Sequence, residues 1–102
     1  MFSKAIFANV SRKVIVATME KDGFTPKLII DKPDYIYTPH KHPEIKYLVC
    51  LKGSMKVTVN GKLFNFEPGD KLIIPGNTIH EGVVSNEGCM YFWSEKLVNK
   101  ND

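Results

Sequence analysis

The chain has 102 residues, 43% of them hydrophobic and 25% charged, with a formal net charge of +3, a composition typical of one globular domain. Its apolar runs fall far short of the roughly 20 residues that a membrane-spanning helix requires, so we expect no membrane association. The lysines are scattered and do not form a stripe with aromatic residues, which argues against nucleic-acid binding.

The N-terminal segment and the cysteines bear on the cellular compartment. Residues 1–7 are too short and too interrupted to form the apolar core of a signal peptide, so we expect a cytoplasmic protein. Cys50 and Cys89 do not form a Cys-x-x-Cys pair, and each lies in an apolar run. We therefore expect them to be buried, reduced thiols rather than a disulfide or metal ligands.

The first half of the chain is rich in short apolar segments separated by turn residues. β-Branched and apolar residues in Lys13–Met19 favour a strand, which the turn at residues 20–23 would end. Further strands are predicted at Lys27–Ile30, Tyr35–Thr38 and Ile45–Leu51. No segment shows a convincing helical period.

The clearest local signal is the Asn60-Gly61 pair between two runs of alternating apolar residues. Asn-Gly in this setting is typical of a two-residue hairpin loop. Such a loop would set Val57 opposite Phe64, and Met55 opposite Phe66, with apolar side chains on the same face.

The rest of the chain continues the pattern of strands and turns. Strands are predicted at Lys71–Ile74 and Cys89–Ser94, with turns at residues 75–77 and 85–88. The polar stretch Glu95–Asp102 is expected to be a frayed tail. Many short strands at near-regular spacing favour an all-β sandwich or small barrel.

All three histidines of the chain fall in two short segments, and they are the best clue to function. His40 and His42 are two residues apart, so in a strand they would face the same side. His80 follows a turn in a distant part of the chain. Two imidazoles on one face, met by a third, suit a divalent transition metal. Without His80, the first two are equally compatible with an exposed polar pair between prolines.

The spacing around His40 and His42 resembles the first motif of the cupin family: Gly, five residues, His-x-His, three or four residues, Glu, six residues, Gly. The two histidines and Gly53 match at the family's spacing. Asp34 stands at the first glycine, and Lys46 stands at the glutamate that binds metal in the family.

The segment around His80 resembles the second cupin motif: Gly, five residues, Pro-x-Gly, two residues, His, three residues, Asn. Gly69, Pro75 and His80 match, whereas Asn77 replaces the motif glycine and Val84 replaces the final asparagine. The predicted hairpin fills the spacer between the motifs. The resemblance covers roughly Lys27 to Phe92 and is specific, because all three histidines match in spacing.

The resemblance implies a double-stranded β-helix, or jelly-roll barrel, with the histidines pointing into its mouth. We expect residues 1–102 to be one such domain with a barrel core at about residues 12–94. The family implies a divalent metal ion, such as Fe, Mn, Ni or Zn, and this carries over to His40, His42 and His80 only. Many cupins form homodimers, so a homodimer is expected as well.

Lys46 is the departure that matters, because an ammonium group offers no lone pair to a metal. Glu44 has the same strand parity and is an alternative fourth ligand, or a partner for Lys46. Otherwise the site has three histidines and open positions filled by water, as some cupin dioxygenases lack the glutamate. A cupin whose ligand set has eroded is the main rival interpretation.

The leading hypothesis for function is a small metal-binding cupin with a pocket for a small molecule, acting as a metal-dependent dioxygenase or isomerase if it is an enzyme. No residue stands out as a catalytic acid or base. The alternative is a non-catalytic cupin that binds or senses a sugar or acid with a weak or empty metal site. An accessory dimer without any ligand is a third interpretation.

Overall fold

The computed structural model describes residues 1–97, which form seven strands and one helix. The strands are antiparallel to their neighbours and make the predicted all-β jelly roll. In chain order the elements are β1 (Phe2–Ser3), α1 (Arg12–Lys21), β2 (Lys27–Asp31), β3 (Ile36–His40), β4 (Ile45–Val59), β5 (Lys62–Phe66), β6 (Lys71–Ile74) and β7 (His80–Lys96).

Two long strands, β4 and β7, organise the barrel. They pair with each other from Ile45↔Lys96 to Val59↔His80, with register shifts between Cys50 and Met55. The same strands also pair with β2, β3, β5 and β6. Such bulges bend a paired strand, so β4 and β7 can contribute to several neighbouring ladders of the closed fold.

Several predicted strand boundaries differ from those in the structure. The expected turn at residues 85–88 is wrong, because these residues continue β7, with a bend at Gly88 where φ is +79°. The strand predicted at Ile45–Leu51 and the first strand of the predicted hairpin, residues 55–59, are parts of one continuous strand, β4. The hairpin is confirmed to the residue, with Val57 opposite Phe64 and Met55 opposite Phe66.

The expected strand at Lys13–Met19 is also wrong, because this segment lies within α1. Ser11 caps the helix by accepting a hydrogen bond from the backbone N–H of Val14 at 3.3 Å. Ile15 and Met19, one helical turn apart, are both completely buried. They pack in one cluster with the barrel residues Tyr47, Val49 and Phe92. Tertiary packing therefore outweighs the strand preference of the β-branched residues.

A second hydrophobic cluster fills the barrel itself. It contains Cys50 and Cys89, which are free and buried as expected, with their Sγ atoms 3.8 Å apart. The neighbouring Cys50 thiol and burial raise the pKa of the Cys89 thiol, so Cys89 is a poor nucleophile. One end of this cluster opens into the cavity described below.

The expected frayed tail is wrong for Glu95 and Lys96, because both residues belong to β7. Residues 98–102 of that segment lie outside the described residues. Among residues 1–97, no helix has both the length and the apolar character needed to cross a membrane.

Candidate metal centre

The three histidines converge at one end of the barrel. His40 ends β3 and His80 begins β7, and the two residues face each other in the β3–β7 ladder. His42 lies two residues beyond β3. Ring nitrogens from the three side chains all lie within 4.8 Å of one another. The structure thus brings together all three predicted metal ligands in a group that could hold a metal ion.

The orientation of two of the rings is fixed by the backbone. His80 Nδ1 lies 3.0 Å from the carbonyl oxygen of Thr78, and His40 Nδ1 is hydrogen-bonded to the carbonyl oxygen of Thr38. A carbonyl only accepts, so each Nδ1 must carry the proton. In the neutral ring Nε2 then has its lone pair available, which is the arrangement that metal-bound histidines adopt.

A close backbone contact holds the two histidine segments together. The N–H of Asn77 donates to the carbonyl of His42 at 2.6 Å. A Cβ atom on Gly76 would lie 2.3 Å from the carbonyl oxygen of Pro43, so only glycine permits this approach. The turn before His80 therefore positions His42 through main-chain contacts.

Burial also favours the neutral form of His80, whose exposed fraction is 9%. Desolvation lowers the pKa of His80, the hydrogen bond to Thr78 opposes this, and the charges of His40, His42 and Lys46 lower it further. A neutral imidazole is the form that binds a metal. Three such nitrogens fit a divalent transition metal ion with positions left open for other ligands.

Lys46, at the position where the family has a metal-binding glutamate, pairs with a carboxylate and is not part of the histidine cluster. Lys46 is buried, with its side chain 10% exposed, and it forms an ion pair with Glu95. The two residues face each other in the β4–β7 ladder. The Lys46 Nζ atom also lies 5.3 Å from the ring centroid of Trp93. Glu44, the alternative fourth ligand, is not part of the histidine cluster among residues 1–97.

Glu95 is the residue of this region that sequence reasoning missed, because it was assigned to the tail. Its alternation with Trp93 in an apolar strand was a weak signal that the strand continues. The pairing with Lys46 depends on the long-range register of β4 on β7, which the sequence does not determine.

The histidines and Lys46 line one cavity of about 290 Å³. Its other walls are largely apolar, and the apolar residues come from β2, β4, β6 and β7. The apolar side chains that line it are Ile29, Leu48, Met55, Val57, Ile74 and Trp93. A concave, mainly apolar space with a few polar groups is typical of a small-molecule site.

Two phenols also line this cavity and form a network with a carboxylate. The hydroxyl of Tyr37 donates to Asp31 Oδ2 at 2.6 Å and lies 3.0 Å from the hydroxyl of Tyr91. Tyr91 reaches the same Asp31 oxygen at 3.2 Å. Burial and the hydrogen bond to Asp31 raise the pKa of Tyr37 to about 12, and burial raises the pKa of Tyr91 as well. Both groups are therefore neutral hydrogen-bonding groups near neutral pH.

Solved structures similar to this chain share its fold. The cupin domain of Cnp3 from Schizosaccharomyces pombe aligns with a TM-score of 0.67 and 16% identity over 74% of this chain and 56% of that one. Oxalate decarboxylase from Bacillus subtilis, described for its Mn(II) centres, aligns with a TM-score of 0.64 and 20% identity over 78% of this chain and 23% of that one. Salicylate 1,2-dioxygenase from Pseudoaminobacter salicylatoxidans aligns with a TM-score of 0.65 and 18% identity over 69% of this chain and 21% of that one.

These identities support a shared fold and nothing finer, and this chain spans only part of each of the three proteins. No curated protein matches the sequence. A family model described as a cupin domain matches residues 28–94, a region that includes all three histidines and most of the chain. Since the match covers more than half of the chain and includes both histidine segments, the chain belongs to the cupin family.

Proposed function

We propose that this protein is a small metal-binding cupin in which His40, His42 and His80 hold one divalent transition metal ion, such as Fe, Mn, Ni or Zn. The observation that carries the proposal is the convergence of three imidazoles within 4.8 Å, two of them with Nδ1 hydrogen-bonded to a carbonyl. The cavity beside them would hold a small-molecule ligand.

Three protein ligands leave coordination positions open, which is typical of catalytic rather than purely structural metal sites. A bound ion would supply Lewis-acid chemistry, and a redox-active ion would supply redox chemistry. Oxalate decarboxylase, a protein with Mn(II) centres that contains the same fold, supports the proposal that this chain binds a metal. A dioxygenase or isomerase activity is the corresponding hypothesis for catalysis.

The test is the metal content of protein purified without added metal. We expect close to one equivalent of a transition metal by elemental analysis, and loss of most of it in His80→Ala with the fold retained by circular dichroism. Glu81→Ala is the matched control, because Glu81 lines the same cavity and neighbours His80 but is outside the cluster. Equal metal content in wild type and His80→Ala would contradict the ligand assignment.

A second candidate is a non-catalytic binding cupin with a weak metal site. The observation that favours it is Lys46, whose positive charge lines the cavity beside the histidines and opposes a bound cation. Folded wild type that takes up Zn²⁺ weakly, yet retains one metabolite during purification, would favour this candidate. Mass spectrometry of the denatured protein would identify such a metabolite.

We also propose a homodimer in the cytoplasm. The edge strand β2 supports the dimer, because Leu28 and Ile30 are 40% and 68% exposed on one face of it. The proposed cytoplasmic location is supported by the two free, buried cysteines, because thiols stay reduced in that compartment. Sedimentation of wild type and Ile30→Lys tests the dimer: the variant should be monomeric, and an unchanged sedimentation coefficient would contradict this interface.

A further inference from the structure

The charge balance of the cavity is the starting point. Imidazoles that coordinate a metal ion do so as neutral ligands. The histidine cluster contains no carboxylate among residues 1–97. A divalent ion held there would therefore receive no compensating charge from its protein ligands. Glu81 also lines the cavity, but it is exposed and lies outside the histidine cluster. Glu95 offsets the charge of Lys46 through their ion pair, but it does not offset the charge of an ion at the histidines.

Lys46 adds hydrogen-bond donors to this cationic region. Its ammonium group has three N–H donors, and Glu95 accepts from it. Its side chain is only 10% exposed and lines the cavity with the histidines. Since a buried ammonium needs several acceptors, the donors that Glu95 does not occupy are available to a ligand.

The apolar part of the wall sets the other half of the ligand's chemistry, since the hydroxyls of Tyr37 and Tyr91 that also line the cavity are hydrogen-bonded to Asp31. Leu48, Met55 and Val57 line the cavity on β4, and Trp93 lines it on β7. These side chains would contact the body of a ligand without offering it hydrogen bonds, except through the indole N–H. A volume of about 290 Å³ suits a molecule with one small ring or a short branched chain.

We infer that the cavity binds a small monocarboxylate with an apolar body, whose carboxylate lies between the proposed metal ion and the ammonium group of Lys46. The inference rests on the proposed function and names the substrate class of that site. The carboxylate supplies the negative charge that the protein's own ligands lack, and the apolar walls contact the rest of the molecule.

The test uses the full chain loaded with Zn²⁺, which is redox-inactive, and two probes of similar shape. Benzoate carries the carboxylate, whereas benzamide replaces it with a neutral amide. Trp93 is the single tryptophan of the chain and lines the cavity, so its fluorescence reports binding directly. We expect benzoate to bind at least about tenfold more tightly than benzamide.

A double variant tests the role of Lys46. Lys46→Met with Glu95→Gln removes both charges of the ion pair and leaves no unpaired carboxylate. We expect the preference for benzoate to fall about tenfold in this variant while Zn²⁺ stays bound and the fold is kept. The control is Lys52→Met, which removes the same charge from an exposed position of β4 outside the cavity and should keep the wild-type preference.

The outcomes separate the inference from the proposed function. Failure of the wild type to bind Zn²⁺ would overturn the proposed function, and the inference with it. Zn²⁺ binding with equal affinities for the two probes would overturn the inference alone. An unchanged preference for benzoate in the double variant would also overturn it, because Lys46 would then have no part in recognition.

Discussion

His40 lies directly opposite His80 in the ladder between β3 and β7, with the two ring centroids 4.3 Å apart. Each ring is hydrogen-bonded through Nδ1 to the carbonyl of the threonine two residues earlier. Two strands that are distant in sequence thus present imidazoles in the same tautomer at the same place. The ladder therefore positions two of the three proposed metal ligands.

The tautomers can be tested without a metal. In their neutral form, we expect His40 and His80 of the metal-free protein to carry the proton on Nδ1 and to be free at Nε2. Long-range proton–nitrogen NMR spectra distinguish the two ring nitrogens. Free histidine, which favours the Nε2 proton in water, provides the reference. Protonation at Nε2 in either residue would show that the carbonyl contact does not hold the ring.

The parts of the structure that were predicted correctly depend on local sequence or on motif spacing. Asn60-Gly61 determines the hairpin register because a type I′ turn needs positive φ at both residues, and they have φ of 49° and 82°. The histidine spacing places the candidate site because it matches two family motifs. The ion pair of Lys46 and Glu95 depends on the register between β4 and β7, which are far apart in the sequence, so it could not be predicted from the local sequence.

Residue composition alone predicted the wrong secondary structure for the segment that forms α1. Val14, Ile15, Val16 and Thr18 are β-branched, and this composition favoured a strand. The contrary signals were local: Ser11 at the N-cap, a one-turn spacing of Ile15 and Met19, and Gly23 after the end of the helix. The segment forms a helix and not a strand because one side of the helix packs on a face of the barrel. That face exists only in the folded chain, so the sequence pattern did not reveal it.

Packing of α1 on the barrel predicts a large difference between two adjacent residues. Ile15 is completely buried, whereas Val14 is 55% exposed. We expect Ile15→Ala to lower the free energy of unfolding by about 2–5 kcal/mol, because it leaves a cavity under the helix. Val14→Ala, the matched control, should change it by less than about 0.5 kcal/mol. Urea denaturation measures both, and similar values for the two variants would mean that α1 does not pack on the barrel in solution.

Gly53, at the bend of β4, should tolerate no side chain. Its φ is +73°, and a Cβ atom would lie 2.0 Å from the carbonyl oxygen of Gly88. We expect Gly53→Ala to cost roughly 3 kcal/mol or more of unfolding free energy, in the upper range for single substitutions. Gly61 has a similar φ of +82°, but a Cβ atom there would have no non-neighbouring residue within 4 Å. Gly61→Ala should therefore cost only about 1–2 kcal/mol.

Denaturant melts of the two glycine variants separate the effect of φ from the effect of the close contact. If both variants lose the same stability, the approach of β4 to β7 at Gly53 and Gly88 is looser than the structure indicates. A much larger loss for Gly53→Ala supports the bend that carries β4 and β7 around the barrel.

The phenol of Tyr37 should make the protein less stable in alkali. Burial, followed by the hydrogen bond to Asp31, raises the pKa of Tyr37 from 10.0 to about 12. Because the pKa is higher in the folded protein, the stabilisation is complete below pH 10 and is lost as the pH rises to about 12. Tyr37→Phe removes this phenol, so we expect it to be less stable at neutral pH but to lose less stability across that interval.

The measurement is the free energy of unfolding in urea at several pH values, compared between variants so that the titration of the lysines cancels. Leu63→Ala, at a residue 56% exposed, keeps every phenol and should retain the wild-type dependence on pH. If Tyr37→Phe loses as much stability as the wild type in alkali, the bond between Tyr37 and Asp31 does not hold that phenol neutral. Since Tyr37 lines the cavity, that result would also mean that this wall presents an ionised oxygen to a ligand in alkali.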